Sequence, residues 1–381
     1  MKTTIFDQCA AKTNALELSF ERARPCCVFR ADVNRIPINP KLGVNYVMDR
    51  FKEYTNDQIA EGCKKCIVQE SNGARSKRLW LNSFIHSGEY DFYYDFQLSN
   101  LCNLACKMCS PNFSSRLVKP WKFYKENGYI EKDIGLSSVL PSKWNMIIVD
   151  KIFDDINERT RDKKVVVEVK GGEPTMQTEF KDFFNRFENI HNVRLDLITN
   201  LQKLPDYFLE NISKFHKVNL GVSIEGTNET YEYIRTLGRW NTFEKNIKTL
   251  CKEKKSFDND TKLIFHPKIV SYGIGRLQDL LDFMDYGASL GFKEVSAESI
   301  SEIIWSPNHS SPLYLPKAYV TEVLSNVKHK RIHKLKKLLR DKNVYTKDQM
   351  DRTLKFIELT DKFNKTDFWK TPTGKGLSNY L

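Results

Sequence analysis

From residue 91 onward, short apolar runs alternate with longer stretches whose apolar residues recur at helical spacing. The runs fall at 91–98 (DFYYDFQL), 164–170 (KVVVEVK), 193–199 (VRLDLIT), 217–224 (KVNLGVSI), 262–270 (KLIFHPKIV) and 293–298 (KEVSAE). The helical stretches lie near 145–159, 177–189, 240–254 and 275–290. Strand–helix alternation of this kind predicts a parallel sheet with crossover helices, an α/β fold. Six such units make an open (β/α)6 barrel, a partial TIM-like fold. Residues 1–85 have few long apolar periods and read as irregular, and the chain from about 316 reads as two helices. The expected organisation is an N-terminal cysteine-rich module at 1–88, a barrel at 89–312 and a C-terminal helical extension at 313–381.

Composition narrows the class without naming the chemistry. The 381 residues are 40% hydrophobic and 28% charged, as in an ordinary globular protein with a sizeable core. No run of 18 apolar residues is present, and the segment from Met1 to Cys9 lacks the apolar region of a signal peptide. The expectation is a cytoplasmic protein with no membrane span. The formal charge is +12, and the most basic stretch runs from Lys328 to Arg340. There Ile332, Leu335, Leu338 and Leu339 fall at helical spacing. That pattern reads as a solvated amphipathic helix or as a contact for nucleic acid or an acidic partner.

The nine cysteines carry the chemistry. They stand at 9, 26 and 27, 63 and 66, 102, 106 and 109, and 251. Without an export signal, tight pairs of this kind read as metal ligands rather than disulfides. Cys102, Cys106 and Cys109 form a C-x3-C-x2-C motif directly after the 91–98 strand. Three thiolates can bind three irons of a [4Fe–4S] cluster and leave the fourth iron open to a ligand, whereas four-cysteine sites mainly move electrons. Zinc is the other reading of the triplet, but a second C-x2-C or a histidine pair is missing near Cys109. In parallel α/β sheets, ligands bind beyond the carboxyl ends of the strands. The cysteine motif, Gly171-Gly172-Glu173-Pro174, Thr199-Asn200, Ser223 to Gly226 and Lys268 to Val270 all fall at such ends.

At these residues the chain resembles the radical S-adenosylmethionine (SAM) superfamily, in which Cys-Asn-Leu commonly opens the cysteine motif, as Cys102-Asn103-Leu104 does here. Met108 stands where the family often has an aromatic residue. The resemblance implies a partial TIM-like radical SAM barrel. It also implies that the open iron chelates SAM and that reductive cleavage yields methionine and a 5′-deoxyadenosyl radical, which abstracts hydrogen from substrate. It makes Gly171, Gly172 and Glu173 the GGE motif, with Glu173 pairing with the SAM ammonium. It puts Asn200 near the SAM ribose, although Thr199-Asn200 reads equally as a helix cap or turn. Val222 to Gly226 is similar to the Ser-Ile-Asp-Gly element of SPASM/twitch-type members, and strand alternation turns Ser223 and Glu225 to the barrel interior. Tyr231 to Arg235 matches a Tyr-Glu-x-Ile-Arg pattern. That match makes Arg235 the fork for the SAM carboxylate, against the alternative of a surface arginine on a helix. Ile269 and Val270 are implied to flank the adenine, and Tyr272-Gly273-Ile274 replaces an asparagine often found there.

Pro25-Cys26-Cys27 and Glu61-Gly62-Cys63 through Cys66, with Glu70, Gly73, Ser76 and Arg78, resemble the twitch module, a half-length SPASM domain. The resemblance implies a second, auxiliary [4Fe–4S] cluster on Cys9, Cys26 or Cys27, Cys63 and Cys66. Adjacent thiolates reach one cluster poorly, which favours Cys26 alone. A structural zinc on the same four cysteines is the rival reading. Cys251, mid-helix beside Leu250, reads as a core thiol. The family implies a radical SAM oxidoreductase or modifying enzyme with a peptide, protein or small-molecule substrate and an electron donor such as flavodoxin or ferredoxin. The alternative is a non-catalytic metal-binding or nucleic-acid-binding protein that kept the fold. Tyr94, His266, Lys268 and Trp305 near strand ends read either as substrate-cavity lining or as barrel packing.

Overall fold

A computed structural model describes residues 7–19, 22–29, 36–37, 39, 43–71, 75–97, 99–129, 145–293, 303–304, 306–329 and 332–381. An open sheet of eight strands organises them: β1 (Ala15–Ser19), β2 (Arg22–Arg24), β3 (Ile36–Pro37), β4 (Phe92–Gln97), β5 (Val165–Lys170), β6 (Val193–Thr199), β7 (Lys217–Ile224) and β8 (Asp260–Pro267). Their spatial order is β3-β2-β1-β4-β5-β6-β7-β8. β1 and β4 to β8 run parallel, and β2 and β3 extend the β1 edge antiparallel. The chain thus has the α/β fold of a partial, TIM-like barrel. The expected strands from 91–98 to 262–270 are β4 to β8. The sixth, at 293–298, falls almost wholly outside the described residues. Beside it, Phe292 and Ile303 form parallel bridges to Leu263 and Ile269.

Alternation along the strands splits the sheet into two faces. Val165, Val167 and Val169 face the outer layer, where Phe153 of the helix Met146–Arg159 packs edge-on to Phe183 with ring centroids 5.2 Å apart. Glu168 and Lys170 face inward. The register sets Glu17, Asp95, Glu168 and Asp196 side by side on β1, β4, β5 and β6. Four neighbouring buried carboxylates repel one another unless cations intervene. Arg24 of β2 supplies two hydrogen bonds to Glu17 at 2.6 and 3.1 Å. Lys170 reaches Asp95 at 2.5 Å and Glu168 at 3.0 Å, Lys77 reaches Glu168 at 3.3 Å, and Arg194 takes both oxygens of Asp196.

Two expectations need correction. The described residues of 1–85 are not irregular: they include β1 to β3 and the helices Gly43–Lys52, Asn56–Ser71 and Lys77–Ile85. Every residue of β1 is buried, so it lacks the polar–apolar alternation of a half-exposed strand. The helix Asn56–Ser71 buries only Ile59, Gly62 and Cys66, too few to make a strong period. The tail holds more than two helices: Lys317–Asn326, His333–Asp341, Lys347–Asn364 and the short Pro372–Leu377. Phe356 of the helix Lys347–Asn364 packs on Trp121 and Tyr124 of the helix Val118–Glu126, with ring centroids 6.1 and 5.4 Å apart. Cys251 is a core thiol, as expected. No helix of the described residues is long and apolar enough to cross a membrane.

Candidate active site

The cysteine loop follows β4 and is held from three sides. Its backbone donates from Ala105 N to Thr236 O and from Lys107 N to Ile234 O, both at 2.9 Å. Ser114 Oγ donates to Leu104 O at 2.6 Å, and Asn100 Nδ2 to Pro111 O at 2.9 Å. Glu173 N donates to Leu101 O at 2.8 Å, which docks the loop after β5 onto the cysteine loop. Gly172 makes this approach possible. It sits at φ +57°, and a Cβ there would lie 2.3 Å from Leu101 O.

The strand ends and these loops enclose a cavity of about 410 Å³. Cys102, Cys106, Cys109, Gly171, Gly172, Glu173, Thr199, Asn200, Ser223 and Arg235 line it. Of the residues expected at the site, Glu225, Ile269 and Val270 do not line the cavity. Glu225 is buried behind Arg235 and accepts from its Nε at 2.5 Å and Nη2 at 2.7 Å. Ile269 and Val270 belong to the main core. Tyr94 is also core, with its hydroxyl on Asp155. Trp305 and Gly73 lie outside the described residues. Leu104, Met108, Ser110, Asn112, Phe113, Ser114, Ile198, Ser306 and Pro307 complete the lining. Of these, Met108 and Leu104 stand within the cysteine motif that the sequence marks out. Ile198, Phe113 and Ser306 carry no chemical signal of their own.

Glu173 is almost fully buried, yet both of its oxygens are engaged. Oε1 accepts from Thr175 Oγ1 and Thr199 Oγ1 at 2.8 Å each and from Thr175 N at 3.4 Å, and Oε2 accepts from Asn200 N at 2.7 Å. Burial raises its pKa, and the donors from Asn200, Thr199 and Thr175 oppose the rise. Asn200 Nδ2 turns back to the cysteine loop, 2.8 Å from Asn103 Oδ1 and 3.9 Å from Cys102 Sγ. Burial pushes the free thiol of Cys102 up to about 11 and that of Cys109 up to about 12, and it raises Cys106 well above the ordinary thiol value. The Arg235 charge opposes all three shifts. The site therefore favours thiolates only when a positive centre arrives with them.

The other cysteines divide into two environments. Cys63 and Cys66 stand one turn apart on the helix Asn56–Ser71, and Cys9 and Cys26 approach from the N-terminal turn and the end of β2. Burial raises the Cys26 thiol, and Cys27, Cys9 and Cys66 add to the rise. Cys63 likewise feels Cys9 and Cys66. Cys9 and Cys66 thus act on both Cys26 and Cys63. Cys27 instead faces the ionic interior, where burial and then Lys170, Lys77, Asp95 and Glu168 act on it. Beside the four, Glu70 accepts from Arg78 and from Ser76.

Residues 96–284 match the sequence model of the Radical SAM superfamily. No curated protein matches the chain. Among solved structures, "Native anSMEcpe with bound AdoMet" is 15% identical, with a TM-score of 0.36, over 66% of this chain and 62% of that one. "Crystal structure of Streptococcus suis SuiB bound to precursor peptide SuiA" is 13% identical, with a TM-score of 0.35, over 69% and 46%. The chain spans less than two thirds of the length of either, and neither likeness bears on the site.

Proposed function

The chain belongs to the radical SAM superfamily through its 96–284 domain, and from that premise we propose that it uses SAM for radical chemistry on an organic substrate. One observation carries the reading: three thiols of the loop after β4, a carboxylate after β5 and a guanidinium at the end of the helix Asn228–Ile234 line a single cavity. This donor set fits both an iron–sulfur cluster and the charged end of SAM. Cys102, Cys106 and Cys109 would hold a [4Fe–4S] cluster, which when reduced would supply the electron for reductive cleavage of SAM.

The residues of the chain bind and orient. Glu173 faces the ammonium of SAM. Its Oε2 accepts one protein hydrogen bond, which leaves a lone pair for a ligand. Arg235 faces the carboxylate. Glu225 occupies its Nε–Nη2 edge and fixes the fork, leaving Nη1 to the ligand. Gly171 and Gly172 hold the loop against the cysteine loop, and Asn200 and Ser223 flank the remainder of SAM. A second metal centre on Cys9, Cys26, Cys63 and Cys66 is part of the proposal, with Cys27 outside it. The substrate class is a peptide or a small molecule, and the chemistry is an oxidation or modification fed by a small electron-transfer protein.

The test is anaerobic reconstitution with iron and sulfide, followed by dithionite and SAM. The parent should release 5′-deoxyadenosine, and the Cys102→Ala/Cys106→Ala/Cys109→Ala variant should release none. Equal release from the two would overturn the assignment.

A further inference from the structure

Within the cysteine loop lies a cation with no part in the reading above. Lys107 follows Cys106 directly, and its side chain is 2% exposed. Its Nζ has no hydrogen-bond partner among the described residues. It sits 4.1 Å from the centroid of the Tyr233 ring. Its backbone is pinned on both sides. Lys107 N donates to Ile234 O at 2.9 Å, and Lys107 O lies 3.3 Å from His309 Nε2. His309 stacks on Phe356 of the helix Lys347–Asn364, with ring centroids 3.7 Å apart. Burial pulls the Lys107 ammonium down to about 8, and Asp361 of that helix and then the Cys106 thiol oppose the fall. Asp361 is fixed by Phe368 N, which donates to it at 2.6 Å.

A buried ammonium without a hydrogen bond is costly, and a ring face offsets only part of that cost. A methionine or leucine would fill the same space without it. A negative group bound beside this loop would lower that cost. A cluster on three thiolates meets that description, and it becomes more negative when it takes up an electron. A fixed buried cation stabilises the reduced state more than the oxidised state, and a fixed anion does the opposite. Because Lys107 is held on the cysteine loop and Asp361 on the C-terminal helix, their opposite charges act from two separate elements.

We propose that Lys107 is a positioning residue that sets the reduction potential of the cluster on Cys102, Cys106 and Cys109, raising it, and that Asp361 of the C-terminal helix opposes that effect. This rests on the radical SAM reading. The experiment is a redox titration of the reconstituted full chain, following the EPR signal that changes when SAM is added. Lys107→Met should lower the midpoint potential, Lys107→Arg should leave it near that of the parent, and Asp361→Asn should raise it. A purely structural role would not give opposite shifts for the two variants.

Unchanged potentials in both Lys107→Met and Asp361→Asn would overturn the proposal, as would shifts of the same sign. If Lys107→Met does not take up iron, the sign of the Asp361→Asn shift decides alone: upward supports the proposal, and none or downward overturns it. A parent without any SAM-sensitive signal would instead refute the underlying reading.

Discussion

Glu173 and Arg235 each combine a ligand-facing role with a structural one, so the choice of substitution decides what is measured. Glu173→Ala would strand the buried donors of Thr175, Thr199 and Asn200, at ~1–3 kcal/mol for each unsatisfied group. Glu173→Gln keeps the shape and removes the charge. It should weaken SAM binding by ~1.5–3 kcal/mol, about tenfold or more, with a smaller change in melting temperature than the alanine variant. Isothermal titration and thermal melts check both. Arg235 and Glu225 are both buried and doubly hydrogen-bonded. Arg235→Ala should therefore destabilise the fold by ~3–5 kcal/mol, because it leaves a buried carboxylate uncompensated. A melting temperature unchanged in Arg235→Ala would contradict that energetic role. At this scale the sequence shows the residue types, since a glutamate after two glycines and an arginine after Tyr-Glu-x-Ile stand out. It does not show that Glu225 binds Arg235 from ten residues away, because that depends on how β7 enters its following helix.

The glycine pair shows how far an element can be read from its letters. Gly171 and Gly172 both have positive φ, at +89° and +57°. Alanine costs ~1–2 kcal/mol in left-handed backbone. The two positions differ in what a Cβ would meet: the flexible Gln97 side chain for Gly171, the Leu101 carbonyl oxygen for Gly172. Gly172→Ala should therefore lose more stability and more SAM affinity than Gly171→Ala. Equal losses would mean that backbone conformation alone matters there. The elements β4 to β8 are legible because their apolar residues lie in short runs separated by helical periods. β1 is not, because it is buried on both faces, carries Glu17 inward and is five residues long. Its place beside β4 is a non-local pairing across the helices Gly43–Lys52, Asn56–Ser71 and Lys77–Ile85.

For the whole molecule, the N-terminal segment is attached to the barrel by charge as well as by packing. Lys77 reaches Glu168 of β5, and Trp80 packs edge-on to Phe84 and to Tyr93 of β4. Burial works against the charge of Glu168, but Lys170 and Lys77 outweigh it and hold its pKa well below the usual carboxylate range. A depressed carboxylate stabilises the fold above its unfolded pKa, about 4.3 for glutamate. That contribution is lost as pH falls further toward the folded value. Urea unfolding of the apoprotein should show stability falling below about pH 4.3, with a shallower fall in Glu168→Gln. The same variant should be less stable at pH 7 by on the order of 3 kcal/mol, since it leaves the lysines short of a partner. The cysteine sets predict separable metal contents. The Cys102/Cys106/Cys109 triple alanine variant should keep about four irons with a [4Fe–4S] spectrum, and Cys27→Ala should keep the parent's iron. Zinc without iron–sulfur absorption in the triple variant would make the second centre a structural metal.

By itself the sequence determined what depends on local order. That comprises the strand–helix alternation that makes the sheet, the spacing that puts three cysteines on one loop, and the glycines that allow a tight turn after β5. These are properties of neighbouring residues, so a linear string carries them. Only the tertiary structure decided what depends on residues far apart in the chain meeting in space. It set Cys27, Cys9 and Cys66 to act on Cys26, and Lys170, Lys77, Asp95 and Glu168 to act on the adjacent Cys27. It set four carboxylates in one row through strand register, and it buried Lys107 against Tyr233 and within reach of Asp361. Register and burial are set by the packing of the whole chain, and each of these charges takes its meaning from the partners that packing brings to it.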